Sequence, residues 1–229
     1  MAGGRPRGFS REAALDRALE LFWRRGYEGT SVADLTDEMD VSRPSLYAAF
    51  GDKEELFRAV VARYEAQYAD HVRRALERPQ IADAIRTLLL DAAAALTAPD
   101  RPAGCLLVHG ALACDEENAA ARDLLAAARL SRQAAIRARL EGAAGQGDLA
   151  PDGDPVLLAE YVMALLSGMA VQAIGGASRD ALTAVAELGL RVLELDQPGT
   201  AARSGRGRGP IRRAGKPDEP GPDQFAMDL

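Results

Sequence analysis

The residues best equipped for chemistry gather between positions 30 and 53. They are the hydroxyls of Thr30, Ser42 and Ser45, the guanidinium of Arg43 beside Pro44, the phenol of Tyr47 and the ammonium of Lys53. None has a sequence neighbour that would make it a nucleophile or a metal ligand. What they share is the ability to hydrogen-bond anionic oxygens and base edges. Arginine forks onto a guanine, while hydroxyls and helix N-terminal N–H groups suit phosphate. The rest of the chain has no Gly-x-Ser-x-Gly, no metal-binding histidine pair and no phosphate-cradling loop. With His71 and His109 as the two histidines, the expectation is no catalytic residue, no metal and no cofactor.

Such groups can read a surface only if rigid elements present them. Ser10 is placed to cap a first helix, with Glu12 in its first turn and Gly26 ending it. Ala14, Leu15, Ala18, Leu21 and Phe22 recur on one face of that helix. Thr30 or Ser31 caps a second short helix, with Val32, Leu35 and Met39 inward, and 40–42 forms a turn. Ser42 caps a third helix over 43–50, where Pro44 is tolerated in the first turn and Leu46 and Phe50 point inward. Three short helices with a three-residue turn between the last two make a helix-turn-helix, which presents one helix to the major groove. Residues at the start of that helix face base edges, so Arg43 and Ser45 are the candidate readers. Asp52 and Glu55 then form a capping-box pattern. It opens a fourth helix carrying Leu56, Phe57, Val60, Val61, Tyr64 and Tyr68, expected to reach about residue 78.

At this point the chain resembles the TetR family of regulators. The matching residues are Gly26, Thr30, Val32, Ala33, Val41, Ser42, Leu46, Tyr47, Phe50, Lys53 and Leu56, without a gap. One position departs: the family usually has glycine where this chain has Asp40, one of the few other residues that tolerate a left-handed backbone. The resemblance implies that Tyr47 touches phosphate or a thymine methyl. Thr30 at a helix N-terminus would offer its hydroxyl and N–H to phosphate, and Lys53 would add a charge on the same strand. It also implies a C-terminal domain that dimerises through its last two helices and encloses an apolar effector pocket. The expected partners are therefore a pseudo-palindromic double-stranded operator, a second copy of the chain and a small apolar effector, with the outcome repression released by that effector.

Composition fits this reading without dictating it. Of 229 residues 48% are hydrophobic and 5% aromatic, so the core must be built largely from Ala, Leu and Val. The net charge of −6 disfavours nucleic acid until its distribution is considered. Residues 1–79 carry 13 basic and 14 acidic side chains, against 9 and 15 over 80–195, so the acidity sits away from the helix-turn-helix. Gly4-Arg5-Pro6-Arg7 resembles the core of an AT-hook, and Arg5 and Arg7 are candidates for a narrow minor groove. The stretch 203–216 holds six basic residues and no acid and suits nonspecific electrostatic contact. No apolar run approaches a membrane span and no signal peptide opens the sequence, so a cytoplasmic protein is expected.

The expected organisation is all-α. A basic arm (1–9) precedes the helix-turn-helix domain (10–51), a connecting helix (52–79), an effector-binding and dimerisation domain (80–195) and a disordered tail (196–229). Helices are expected over 80–97, 103–114, 118–142, 154–174 and 179–195, punctuated by Pro99, Pro102, the glycines of 142–147 and Gly175-Gly176. The apolar character of 154–174 calls for cover on more than one side. In the stretch 104–114, Gly104 and Cys105 open a helix, with His109 one turn on. A thiol at a helix N-terminus can be activated by the dipole, and some relatives with Gly-Cys here resemble electrophile or oxidant sensors. Switching through Cys105 is thus the alternative to a noncovalent effector. The pocket is expected to include Cys105, His109, Met163 and Gln172.

Overall fold

The computed structural model describes residues 10–68, 70–112, 118–149 and 153–193. Arg5, Arg7, Cys114 and the tail from 196 lie outside the described residues. The described chain is helical and contains no strand. Its helices are α1 (Arg11–Arg25), α2 (Val32–Met39), α3 (Arg43–Phe50), α4 (Lys53–Tyr68), α5 (Asp70–Leu76), α6 (Ile81–Leu96), α7 (Leu106–Leu112), α8 (Ala119–Gln146), α9 (Pro155–Ile174) and α10 (Arg179–Val192).

The N-terminal helices begin and end where local chemistry dictates. Ser10 accepts the Ala13 N–H, and Gly26 closes α1 at φ 73°. Of the two candidate caps for α2, Ser31 takes the role, in a reciprocal capping box with Asp34. Ser42 accepts the Ser45 N–H at the start of α3. Asp52 and Glu55 cap α4 reciprocally, at 2.8 and 3.1 Å. α1 buries a broader face than its stripe suggested, adding Leu19 and Trp23, because α2, α4 and α7 all pack against it. Leu35, Leu46 and Phe57 complete that core, and Val32 is only half-buried. Two polar ties fix α1 to its neighbours. Asp16 receives both Arg63 Nε and Nη2, at 2.9 and 3.1 Å. Arg11 Nε donates to Ala49 O at 3.3 Å with its guanidinium over the Phe50 ring.

α6 is the axis of the second layer. Ile81, Ile85, Leu88, Leu89 and Leu96 are buried along it, and α5, α9 and α10 pack around it. Glycine permits two close approaches. Gly104 has φ +84° and lies against α9, where a Cβ would come within 2.5 Å of Ile174 Cγ1; a Cβ at Gly189 would meet Leu165 at 2.4 Å. Arg139 of α8 caps the end of α5, donating to the carbonyls of Leu76, Arg78 and Pro79 at 2.6–3.2 Å.

The expected fourth helix to about residue 78 is described as α4 up to Tyr68 and α5 from Asp70 to Leu76, with residue 69 outside the described residues. Three expectations change. α7 starts at Leu106, three residues later than expected, because the left-handed Gly104 turns the chain first. α8 runs through Gly142 and Gly145 to Gln146, because Ile136, Leu140 and Ala143 remain buried on its inner face; packing overrides the glycines. The view that no apolar run approaches a membrane span also fails: α9 has 20 residues and a mean hydropathy of 1.6 over its most apolar window. α9 is packed against α6, α7, α8 and α10 and buries Ala159, Val162, Met169, Ala170 and Ala173.

Asp40 ends α2 in the left-handed region at φ 55°, ψ 51°. An L-side chain there crowds the following carbonyl, and glycine does not. Asp40→Gly should therefore raise stability by about 0.5–1 kcal/mol, and Asp40→Val should lower it by about 1 kcal/mol or more. Urea midpoints of the three proteins test this; a glycine variant no more stable than the parent would mean that the turn carries no strain.

Candidate nucleic-acid interface and neighbouring cavity

α3 divides cleanly into two faces. Leu46 and Phe50 are buried, while Arg43, Pro44, Ser45 and Ala48 are exposed and Tyr47 is 44% exposed. Eight residues cannot hold a helix in water unaided, so the two anchors fix which side chains face outward. Ser42 and Ser45 hydroxyls lie 2.8 Å apart, and the capping bond leaves both at the surface.

The cations around α3 are not equivalent. Arg24 pairs with Glu20 and Glu38, Arg25 with Asp34, and Arg58 with Glu54. Lys53 is half-buried with its ammonium 4.0 Å from the centre of the Tyr27 ring. Arg43 has no hydrogen bond or ion pair among the described residues. An unpaired guanidinium at the start of an exposed helix is free to fork onto a base or a phosphate without first breaking a bond.

Thr30 requires a correction. It was expected to offer its hydroxyl to phosphate, but it is fully buried and its Oγ1 donates to Gly26 O at 2.8 Å. The exposed hydroxyl at the start of α2 belongs to Ser31, which donates to Asp34 at 2.5 Å. Thr30 locks the α1–α2 turn instead.

Between α1, α4 and the helices that follow lies a partly open cavity of about 50 Å³. Its aromatic wall comes from the N-terminal half of the chain. Trp23 of α1 meets Tyr64 and Tyr68 of α4 edge-on, with ring centres 4.9 and 5.2 Å apart. Val72, Leu96, Leu107 and Leu166 supply the aliphatic lining, and Arg101, Arg129, Arg132 and His71 the cationic and polar groups. Among the described residues no Asp or Glu lines it. The Trp23 indole N–H is buried without an acceptor.

Of the four residues expected here, Cys105 and Met163 line the cavity and His109 and Gln172 do not. His109 sits one turn beyond Cys105, its N–H bonding Cys105 O at 2.9 Å, yet is half-buried outside the lining, and Gln172 lies on the exposed side of α9. Cys105 is 5% exposed, precedes α7, and accepts the Tyr64 hydroxyl at 3.2 Å. Burial and the thiol beside it push the Tyr64 phenol well above its ordinary value. A sulfur so enclosed is a packing group first. Sequence reading gave Trp23 and His71 no role and placed Tyr64 and Tyr68 on the apolar stripe of the fourth helix. Their i, i+4 spacing on α4 and the polar tips of all three aromatics were the available signals.

Comparisons with known proteins agree on the kind of protein this is. The family described as "Bacterial regulatory proteins, tetR family" matches residues 14–60, and "Tetracyclin repressor-like, C-terminal domain" matches 82–187. The chain is 34% identical to the HTH-type transcriptional repressor ComR of Escherichia coli (strain K12), over 82% of this chain and 91% of that protein. A cysteine mutant of the TetR family transcriptional regulator CifR, complexed with a 26-base-pair double-strand operator DNA, superposes with a TM-score of 0.78. It is 42% identical, over 83% of this chain and 100% of that one. A TetR transcriptional regulator from Rhodococcus sp. RHA1, described as putative, is 40% identical with a TM-score of 0.55, over 79% and 97% of the two chains.

His71 gives the cavity a pH dependence. Burial lowers its affinity for a proton, against the bond from its Nδ1–H to Tyr68 O at 2.7 Å and the nearby Asp91; Arg132 and Arg74 lower it further. Its folded value is depressed, so its contribution to stability is complete above about pH 6.5, the ordinary imidazole value. That contribution is lost as pH falls from there through the folded value, because the unfolded chain takes up the proton first. Urea unfolding at several pH values from neutral downward should show wild type losing more stability than His71→Gln. Parallel losses would show that His71 is not held neutral.

Proposed function

Because the chain belongs to the TetR family of bacterial regulators, we propose that it is a homodimeric repressor that binds a pseudo-palindromic operator through α3 and is released by a small molecule entering the cavity behind α1 and α4. DNA-binding transcriptional regulation is the common property of the relatives. The observation that carries the reading is the outward face of α3, where unpaired Arg43 and exposed Tyr47 stand over the buried Leu46 and Phe50. In this reading Arg43 and Ser45 contact base edges, Tyr47 contacts phosphate or a thymine methyl, and Ser42 and Lys53 position the helix on one strand. The cavity reaches both α1 and α4, so a ligand inside it would bias the spacing of the two recognition helices in a dimer. The protein would act in the cytoplasm, where its operator lies, without enzymatic activity.

A second copy fits the outer faces of α9 and α10. Leu157, Ala164, Gly168 and Val171 make one exposed stripe on α9, and Ala181, Ala184, Leu188 and Arg191 make another on α10. Leu157 is 63% and Leu188 55% exposed, a cost that pairing with the same faces of another chain would remove. Small residues at 164 and 168 let two helices approach closely. This also accounts for the apolar character of α9, which is covered by the bundle on one side and by the partner on the other.

Two experiments test this proposal. Arg43→Ala should relax preference at one base per half-site at a cost of about 1–3 kcal/mol, whereas Tyr47→Phe should weaken all operators alike; unchanged gel shifts for both would remove α3 from the interface. Separately, light scattering of Ala164→Glu/Leu188→Glu should give a monomer that no longer protects a two-fold site. A dimer that survives both charges would place the interface elsewhere.

A further inference from the structure

The three arginines on the cavity wall differ in what holds them. Arg101 pairs with Asp100 and lies over the Tyr68 ring. Arg129 donates to Leu107 O at 2.6 Å. Arg132 is half-buried and has no hydrogen bond or ion pair among the described residues. Its charge is nevertheless felt by Tyr64 and His71, which places it within electrostatic reach of the aromatic wall. On that wall the Trp23 N–H, 4% exposed, has no acceptor. Two strong donors therefore lack partners among the described residues, in one cavity whose described lining offers no carboxylate. A buried donor left without a partner is costly, so the Trp23 N–H is a site where a ligand oxygen would be stabilised, and the half-buried Arg132 guanidinium offers a second. Around them the lining is apolar: Val72, Leu96, Met163 and Leu166.

Resting on the effector-release reading, we propose that the ligand of this cavity is an apolar carboxylate whose head group is bound by Arg132 and the Trp23 N–H while its hydrocarbon part lies among Val72, Leu96, Met163 and Leu166. The anion satisfies both donors, and charge-assisted bonds to a carboxylate are about twice as strong as neutral ones. An amine would meet three guanidinium groups and no counter-charge. Because Trp23 belongs to α1, the head group touches the DNA-binding unit directly, so ligand binding acts on α1 as well as through α4.

Trp23 is the one tryptophan of the chain, so its emission reports on the site itself. The full chain would be titrated with straight-chain carboxylates from butanoate to dodecanoate, each beside the alcohol and the amine of equal length. At one or more lengths the carboxylate should shift Trp23 emission saturably, and bind about tenfold tighter than its alcohol, the ratio one charge-assisted bond confers. The amine should not bind. Arg132→Gln should erase the preference for acid over alcohol, and Arg132→Lys should keep most of it. Trp23→Phe should weaken the carboxylate's release of operator DNA in gel shifts. Alcohols binding as well as acids at every length, amines binding best, or an unmoved Trp23 emission throughout would overturn the proposal. Carboxylate binding that leaves the operator complex intact would uphold the head-group assignment and remove the effector-release reading instead.

Discussion

What α3 presents to DNA depends on how firmly α1 is held against α4. α3 contributes two anchors of its own, Leu46 and Phe50, and everything else about its orientation is inherited. Phe57 of α4 lies edge-on to Phe22 and Tyr27, at 4.9 Å in each case, and Trp23 meets Tyr64 and Tyr68 in the same manner. Each such pair adds about 0.5–1.5 kcal/mol beyond simple burial. The Asp16–Arg63 fork then fixes the register along the two helices. The lower aromatic pairs close the core beneath α3 and the upper ones wall the cavity. The same weld therefore serves both the reading surface and the space where a ligand would act.

The parts of the structure that depend on neighbouring residues were legible in the sequence. Ser10 and Ser42 cap, Gly26 and Gly51 stop, and Asp52 with Glu55 closes a box, because a side chain reaches a backbone group within one turn. The left-handed Asp40 was legible from the resemblance, since the family usually has glycine at that turn. The cavity was not, since Trp23 and Met163 are far apart in the chain and meet only after seven helices have packed. His109 does lie one turn beyond Cys105, but which side of α7 meets the cavity is set by packing against α8 and α9, which local spacing does not encode. Thr30 failed differently. Its position at a helix start was right, but Ser31 took the cap and left Thr30 to bond the preceding turn.

Charge is sorted more finely than the overall −6 conveys. The arginines flanking α2 and α4 are matched by carboxylates on the same or adjacent helices, so the N-terminal segment is nearly neutral and still exposes one uncommitted guanidinium on α3. In the acidic second half the described acids are exposed, and the charged groups on the described cavity lining are all cationic. Such segregation costs little where the groups stay partly hydrated, and it sets the sign of what each surface attracts.

α8 carries a further consequence in its last turns. Positions 142 and 145 have open space where a Cβ would be, so no close approach demands glycine there, and each lowers helix stability by about 0.5–1 kcal/mol relative to alanine. Arg139, clamped to the carbonyls after α5, is the last strong polar tie before them, and Ala143 is the last buried side chain of the helix. Beyond that point the helix is held by its left-handed Gly147 cap and by Leu149 packed back on the core, so local opening there costs less than in the clamped part. Arg129 and Arg132, on the cavity wall, lie on the held side of the clamp. A shift of α8 would therefore be easiest to accommodate at its far end, away from the cavity lining and the α5 clamp.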